Sequence, residues 1–146
     1  RLANFINDEL WGRVTDVPWG IIVKSPEASK VCDELLSPCV RHASQIYEAI
    51  LEGLILFVIL IYLAFKKEML KRPGFIAGIF FTGYGLSRCF VELFRQPDEQ
   101  FQTPSNPLGF FIQIGDYGLT MGQMLSFPMV ILGLLMCLTS MRNRTL

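Results

Sequence analysis

Three apolar runs occupy the last two thirds of the chain, and each is about as long as a membrane-spanning helix. They extend over residues 46–65, 74–95 and 117–141. About 20 apolar residues cross the hydrocarbon core of a bilayer. The third run has no charged residue, whereas the first carries charges near its start and the second near its end. The pattern predicts an all-α membrane protein with three transmembrane helices belonging to a larger multi-span bundle.

The segments outside these runs are polar and predict smaller elements. Residues 1–45 are mixed in character, with a turn signal at Pro18–Gly20 and a short strand candidate at Ile21–Val23. Residues 96–116 contain several prolines and predict a loop. We therefore expect a small mixed extracytoplasmic segment at 1–45 and an extracytoplasmic loop at 96–116.

The distribution of positive charge predicts the orientation of the helices. Four of the eight residues in 66–73 are Lys or Arg, and so are two of the five residues in 142–146. Both segments lie on the same side of a three-span arrangement, and excess positive charge marks the cytoplasmic side. We predict that 66–73 is a cytoplasmic loop and 142–146 a cytoplasmic tail.

Composition supports a membrane protein and excludes several other classes. The chain is 51% hydrophobic, with a mean hydropathy of +0.41 and only 18% charged residues, whereas a soluble domain has about 25% charged residues. The net charge is zero, which argues against nucleic acid as a partner. With one His and no zinc-like Cys/His spacing, we expect neither a metal nor a cofactor. The first residue is Arg and not Met, so we interpret the chain as part of a longer protein.

The four cysteines fall into two pairs with different surroundings. Cys89 and Cys137 lie in apolar runs, where a thiol is a small buried hydrophobic group. Cys32 and Cys39 share a polar stretch and would form a disulfide if that stretch faced an oxidising compartment. We expect two free thiols there, and the sequence leaves the pairing open.

The end of the second run carries a stripe of polar residues. Read as a helix at about 100° per residue, Tyr84, Arg88, Glu92 and Arg95 lie within roughly a quarter turn. Ionisable groups within membrane helices are costly and indicate functional sites. Two cations and a carboxylate predict a site for an anionic ligand at the membrane edge. The alternative is that Arg88 and Glu92, four residues apart, only neutralise each other.

A second polar stripe begins before the first run and enters it. On a helical wheel, a face about 60° wide contains Arg41, Gln45, Glu48 and Glu52. A charged face that continues for about three turns into the membrane predicts partners on neighbouring helices. The sequence leaves open whether Glu48 or Glu52 pairs with Arg88 or with Arg1.

Glycines in the second run predict a helix contact. Gly74, Gly78 and Gly85 share a face that overlaps the stripe of polar residues, and small residues let a second helix approach closely. We therefore expect the stripe to face the helix bundle and not lipid.

Three ordered blocks of the chain resemble the prolipoprotein diacylglyceryl transferases of bacterial membranes. The blocks are Arg1–Gly12, Arg41–Glu48 and Gly83–Asp98, and together they extend over nearly the whole chain. The resemblance would place this chain in the carboxy-terminal half of a longer multi-span enzyme. The sequence departs from the family pattern at three positions that affect backbone geometry: Ala3, Asp8 and Ala43.

The resemblance implies an activity, a location and two substrates. Members of the family transfer the diacylglyceryl group of phosphatidylglycerol to the lipobox cysteine thiol of a preprolipoprotein, the first step of bacterial lipoprotein maturation. This implies the bacterial cytoplasmic (inner) membrane, with the active site on the extracytoplasmic side. The implied partners are phosphatidylglycerol and the preprolipoprotein signal peptide, without a cofactor.

The resemblance also implies roles for individual residues. Arg88 falls on the arginine of the family that is thought essential for catalysis, with Tyr84, Glu92 and Arg95 beside it as catalytic candidates. Arg1 falls on the signature arginine that binds phosphatidylglycerol. The further substrate-binding candidates are Asn4, Glu9, Gly12 and Glu48. The His base proposed for the family lies upstream of the residues in this chain.

Two other functional classes fit the residues without the resemblance. One is half of an anion or lipid transporter, or of a channel, in which the arginines line the path. The other is a structural membrane subunit whose helices are joined by charged pairs. The sequence leaves open the general base, the acyl-chain preference, the oligomeric state and the source organism.

Overall fold

The computed structural model describes residues 1–24, 39–96, 106, 109–114 and 117–142. The described part is mostly helical, as predicted, with two small antiparallel sheets. Its helices are α1 (Leu2–Ile6), α2 (Ser44–Lys66), α3 (Phe75–Val91) and α4 (Met121–Arg142). Its strands are β1 (Ile21–Ile22), β2 (Val40–Arg41), β3 (Ile112–Ile114) and β4 (Tyr117–Leu119).

Two helices of the described part are long and apolar enough to cross a membrane. They are α2 with 23 residues and α4 with 22, and they correspond to the first and third predicted runs. The second run forms α3, which is apolar but has only 17 residues. The chain therefore has the helical character of a membrane protein, while the third span stays a prediction.

α4 begins later than the apolar run suggests. Residues 117–119 form β4, which pairs with β3, and the helix starts only at Met121. Thr120 sets this start through two reciprocal hydrogen bonds: its N–H donates to Gln123 Oε1 at 3.2 Å, and the Gln123 N–H donates to Thr120 Oγ1 at 3.3 Å. This exchange is a capping box, which satisfies amide groups that have no partner within the helix.

α3 and α4 form the most extensive helix contact in the described part, and glycines make it possible. A Cβ atom on Gly78 would lie 2.7 Å from Cys137 Sγ and 2.8 Å from the Gly133 carbonyl oxygen. A Cβ atom on Gly85 would lie 2.7 Å from Val130. The predicted small-residue contact is therefore confirmed at Gly78 and Gly85. Gly74 instead precedes α3 with a left-handed φ of 82°, a conformation that favours glycine.

Arg41 lies on a strand and not on the first long helix. β1 and β2 pair so that Ile21 is opposite Arg41, which confirms a strand within the predicted segment Ile21–Val23. The backbone of Arg41 also forms a bridge with Val14. The expectation that Arg41 shares a helical face with Glu48 is wrong, because these β contacts keep the chain extended until α2 begins at Ser44.

Cys39 is disulfide-bonded. The expectation of a free thiol is therefore wrong at this residue, and a disulfide is typical of a segment that faces an oxidising compartment. Cys32 lies outside the described residues. Cys89 and Cys137 are free; Cys137 is buried as expected, whereas Cys89 is only partly buried.

Several predictions fall on residues that the structure does not describe. These include most of the predicted loop 96–116, all but the first residue of the predicted tail 142–146, and the last two residues of the block Gly83–Asp98. The assignment of each segment to one side of the membrane also stays a prediction.

Candidate functional site

Six charged side chains from three parts of the chain meet where α2 begins and α3 ends. They are Arg1, Glu48, Glu52, Arg88, Glu92 and Arg95. The three glutamate side chains are nearly buried, with exposed fractions of 3%, 9% and 11% for Glu48, Glu52 and Glu92. We refer to these six residues as the charged cluster.

Arg88 lies at the centre of the charged cluster. Its Nη1 atom is 3.1 Å from Glu48 Oε1 and 3.9 Å from Glu52 Oε1, and its Nη2 atom is 3.6 Å from Glu92 Oε2. The pairing of Arg88 with Glu92 is thus present, but it is one of three contacts. Because two of the three carboxylates belong to α2, mutual neutralisation within one helix does not account for Arg88.

Glu48 joins α2 to both the amino-terminal segment and α3. One of its carboxylate oxygens contacts Arg1 Nε, and the other accepts a hydrogen bond from Arg88 Nη1 at 3.1 Å. The question that the sequence left open is resolved, because Glu48 pairs with both arginines. Two guanidinium groups therefore flank a single carboxylate.

Glu52 belongs to the same cluster, although it was not among the predicted site residues. Its carboxylate interacts with Glu48, Arg88 and Arg1 through charge, and it lies near the hydroxyl of Tyr84. Its buried Oε1 atom has no hydrogen-bond partner among the described residues. The signal in the sequence was its spacing, since a residue four positions after Glu48 lies on the same helical face.

α2 departs from regular α-helical geometry at this point. Residues Ala49–Ile55 have π-helical hydrogen bonding, and a second such segment extends over Tyr62–Lys66. Interruptions of this kind are rare and often occur at functional sites. The first of them contains Glu52.

Arg95 reaches the charged cluster from beyond the end of α3. The helix ends at Val91, and the backbone of Arg95 forms a bridge with Gly12. Its Nη1 atom is 3.9 Å from Glu92 Oε2, and its carbonyl oxygen accepts a hydrogen bond from Arg13 Nε at 3.0 Å. The prediction that Arg95 belongs to the helical stripe is therefore wrong, although it does lie beside Glu92.

Gly12 lies at a crossing of three segments. Its N–H donates to the His42 carbonyl oxygen at 2.9 Å, and its own carbonyl accepts a hydrogen bond from Arg41 Nη1 at 3.0 Å. A Cβ atom here would lie 2.6 Å from the carbonyl oxygens of both His42 and Phe94. Gly12 therefore permits the close approach that places Arg1 and Arg95 beside the ends of α2 and α3.

Asn4 and Glu9 lie on the segment that follows Arg1. The Gln45 side-chain amide donates to the Glu9 carbonyl oxygen at 2.6 Å, while the Glu9 side chain is exposed. The Asn4 carbonyl oxygen accepts from the Glu9 N–H at 2.9 Å. In the described part of the chain, no ion pair joins Glu9 to the charged cluster. A role for Asn4 and Glu9 in substrate binding stays a prediction.

Two further arginines lie near the cluster: Arg13, to which the sequence gave no role, and Arg41, which it placed on the second polar stripe. Arg41 is completely buried and stacks near the Trp11 ring, with its guanidinium carbon 5.8 Å from the ring centroid. Burial lowers the pKa of Arg41 and of Arg13, and the Glu92 carboxylate opposes the shift of the Arg13 pKa. Both stay charged at neutral pH because the ordinary pKa of Arg is far higher.

An apolar cavity of about 250 Å³ lies on another side of α2 and α3. Its walls are mainly aromatic and aliphatic: Trp19, His42, Tyr47, Ile50, Leu51, Phe90 and Phe94. The Tyr47 hydroxyl accepts a hydrogen bond from Trp19 Nε1 at 3.0 Å and lies 3.1 Å from His42 Nδ1. Burial lowers the pKa of His42, so the neutral imidazole is favoured.

The chemistry of the charged cluster is that of an anion site. Guanidinium groups bind phosphate and carboxylate oxygens through a fixed fork of donors. Such groups stabilise developing negative charge most strongly where water is scarce. Among the residues that the structure describes, no group of three or more His, Cys, Asp or Glu side chains is arranged to hold a metal ion.

The chain matches the family profile described as prolipoprotein diacylglyceryl transferase over residues 1–139. It belongs to this family. The resemblance seen in the three sequence blocks is thereby confirmed. No solved structure matches the chain.

Individual members of the family are similar to the chain over most of its length. It is 59% identical over 134 residues to the phosphatidylglycerol–prolipoprotein diacylglyceryl transferase of Ruegeria pomeroyi, covering 92% of the chain and 45% of that relative. The same enzyme of Roseobacter denitrificans is 58% identical with the same coverage. That of Cereibacter sphaeroides ATCC 17025 is 53% identical over 143 residues, covering 98% of the chain and 49% of the relative. The chain thus spans about half the length of these relatives.

Proposed function

We propose that this chain supplies the arginine-containing part of the active site of a phosphatidylglycerol–prolipoprotein diacylglyceryl transferase. The enzyme transfers the diacylglyceryl group from phosphatidylglycerol to the lipobox cysteine thiol of a prolipoprotein. Family membership supports the activity. The observation that carries the proposal is the placement of Arg1 and Arg88 on either side of one buried carboxylate, that of Glu48.

The two arginines suit the phosphodiester of the lipid. Both guanidinium groups point toward the Glu48 carboxylate, so an anionic group of similar size beside it meets donors from two directions. Arginine binds such oxygens in a bidentate manner, which fixes the orientation of the phosphate as well as its position. The carbon of the diacylglyceryl group that is bonded to the phosphate oxygen is then held in a defined place for attack by the cysteine sulfur.

The reaction requires stabilisation of a departing phosphate. The cysteine sulfur forms a bond with the glycerol carbon while the bond from that carbon to the phosphate oxygen breaks. The oxygen keeps the electron pair and leaves as glycerol phosphate, and the thiol loses its proton. Arg88 and Arg1 stabilise the negative charge that develops on the phosphate. A free thiol has a pKa of about 8.5 and needs a base, which the family resemblance places upstream of this chain.

We further propose that the site faces the extracytoplasmic side of the bacterial cytoplasmic membrane. The charged cluster lies at the beginning of α2 and the end of α3, whereas the basic loop 66–73 joins the opposite ends of these helices. Excess Lys and Arg marks the cytoplasmic side of a membrane protein. The lipid phosphate would then be bound at the outer leaflet.

Replacing Arg88 with Lys tests the proposed function. In the full-length protein, we expect Arg88→Lys to lower the rate of diacylglyceryl transfer by about two orders of magnitude or more. An ammonium group cannot make the bidentate contact and cannot reach the same set of carboxylates. The measurement is the formation of a thioether-linked product from labelled phosphatidylglycerol and a lipobox peptide.

Arg72→Lys is the matched control, because Arg72 lies in the loop between α2 and α3, at the other end of both helices from the cluster. It should keep the wild-type rate. Near-normal transfer by Arg88→Lys would contradict the role of Arg88. Binding of the lipid by the wild-type protein without any thioether product would instead favour a transporter.

A further inference from the structure

We propose that Glu52 takes up a proton when the lipid phosphodiester binds at Arg88. This inference rests on the proposed function, since it concerns the binding of phosphatidylglycerol to the same charged cluster. It assigns to Glu52 a role in substrate binding that the sequence did not predict.

The first argument is the balance of charge. Within the described residues, the charged cluster itself contains three arginines and three glutamates, whose formal charges cancel when all six are ionised, and Arg13 interacts with Glu92 from outside it. A bound phosphodiester adds one negative charge. Uncompensated charge in poorly hydrated surroundings is costly. A proton on one of the three carboxylates removes this excess without moving any side chain out of the cluster.

The second argument identifies which carboxylate accepts the proton. Both oxygens of Glu48 are engaged, by Arg1 and by Arg88. Glu92 lies within 4 Å of two arginines, at 3.6 Å from Arg88 and 3.9 Å from Arg95. Glu52 has a single ion pair in the described part of the chain, the contact of 3.9 Å with Arg88. It is therefore the carboxylate with the weakest ionic stabilisation.

The third argument is the state of the Glu52 oxygens. The side chain is about nine-tenths buried, and Oε1 has no hydrogen-bond partner among the described residues. The same holds for Glu48 Oε2 and Glu92 Oε2, but those two atoms have closer ion pairs, with Arg1 and with Arg88 respectively. A proton placed on Glu52 Oε1 therefore breaks no hydrogen bond of the structure. The remaining groups around Glu52 are Glu48 on its own helix, Arg88 and Tyr84 on α3, and Arg1. When the lipid phosphate binds Arg88, the arginine stabilises the ionised Glu52 less. The negative charges of Glu48 and of the phosphate then both favour the neutral form of Glu52.

Calorimetry on the full-length protein tests the inference directly. Short-chain phosphatidylglycerol is titrated into the protein in lipid nanodiscs, in two buffers that differ in their enthalpy of ionisation. The difference in heat gives the number of protons taken up per lipid bound. We expect about one proton between the pH at which Glu52 ionises in the lipid-free site and the higher pH at which it ionises in the lipid-bound site, and over that range the Kd should weaken about tenfold per pH unit. Below the lower of these two pH values, Glu52 is already neutral and the Kd should be constant.

Glu52→Gln supplies the variant, because glutamine has the shape of the acid and stays neutral. We expect it to bind phosphatidylglycerol with the affinity that wild type shows at low pH, without proton uptake and without the pH dependence. Glu68→Gln is the matched control: Glu68 is exposed and pairs with Lys71 in the loop after α2, so its variant should behave as wild type. Diacylglycerol, which lacks the phosphate, should cause no proton uptake.

The outcomes separate this inference from the proposed function. Binding of phosphatidylglycerol to wild type without proton uptake overturns the role of Glu52 alone, and so does full uptake in a folded Glu52→Gln protein. This wild-type measurement decides the matter even if the variant does not fold. Failure of wild type to bind phosphatidylglycerol at all overturns the proposed function and this inference together.

Discussion

At the scale of single residues, Glu48 holds together segments that are distant in sequence. Its carboxylate is 3% exposed and contacts Arg1 and Arg88, which lie 47 positions before it and 40 positions after it. A buried charge is stable only when it is paired. The pairing of Glu48 therefore fixes the amino-terminal segment and α3 relative to α2 at the point where the anion is expected to bind.

His42 gives a prediction about pH. Burial lowers its pKa below the ordinary value of 6.5, so the folded state binds a proton less readily than the unfolded state. The free energy of unfolding should therefore fall as the pH drops below about 6.5, and level off below the folded-state pKa.

His42→Phe keeps a ring beside Tyr47 and Phe94 but cannot titrate. Its unfolding midpoint, measured in detergent between pH 8 and pH 5, should depend less on pH than that of wild type. Equal pH dependence of the two proteins would show that His42 titrates normally.

The sequence predicted the helical residues of the site better than the residues on the strands and loops around it. Helical spacing correctly placed Arg88 beside Glu92 and Glu48 beside Glu52, because it decides which side chains of one helix share a face. The pairing of Glu48 with Arg88 across two helices was left open by the sequence. Arg41 was misplaced, since a β pairing between segments 20 residues apart cannot be deduced from a helical wheel. The contact of Glu9 with α2 uses a backbone carbonyl, which is present in every residue and leaves no signal in the sequence.

At the scale of elements, the contact of α3 with α4 depends on glycine. Gly78 faces Cys137 and Gly133 so closely that no side chain fits between the helices. Two of the three apolar runs became helices of membrane length, as the period and length of their apolar residues predicted. α4 starts four residues after the apolar run does, because the strand β4 is as apolar as the helix and the capping box of Thr120 and Gln123 begins the helix only at Met121.

Gly78→Ala should weaken this contact, whereas Gly53→Ala should not. A Cβ atom at Gly78 would be 2.7 Å from Cys137 Sγ, while one at Gly53 would meet nothing within 4 Å. We expect Gly78→Ala to lower the free energy of unfolding in detergent by about 1–3 kcal/mol. Gly53→Ala, on the exposed face of α2, should be neutral or stabilising by up to about 1 kcal/mol. Equal stability of the two variants would contradict the described packing of α3 on α4.

At the scale of the whole molecule, charge and hydrophobicity are separated along the helix axes. The charged cluster occupies one end of α2 and α3, the basic loop 66–73 occupies the other, and large apolar side chains of α2 such as Phe57 and Phe65 are exposed between them. Exposed apolar surface of this extent on a helix of membrane length fits a lipid or helix environment.

The proposed orientation can be tested by labelling single cysteines in spheroplasts. A membrane-impermeant maleimide should label Asp16→Cys, because residues 1–45 are expected outside, and should not label Lys67→Cys until the membrane is broken. Both positions are exposed in the structure. The unsubstituted protein gives the background from the native cysteines. Labelling of Lys67→Cys alone in intact spheroplasts would reverse the orientation and place the charged cluster at the inner leaflet.

The backbone of α4 has a consequence for the acids opposite it. Although this helix has no charged residue before Arg142, its Gly122 lies directly behind the Glu92 carboxylate, where even a methyl group would be 2.6 Å from the nearest carboxylate atom. The Glu92 carboxylate therefore packs closely against the backbone of α4 and also pairs with Arg88 and Arg95. An uncharged stretch of helix thus limits how far Glu92 can move when another anion competes for its arginines.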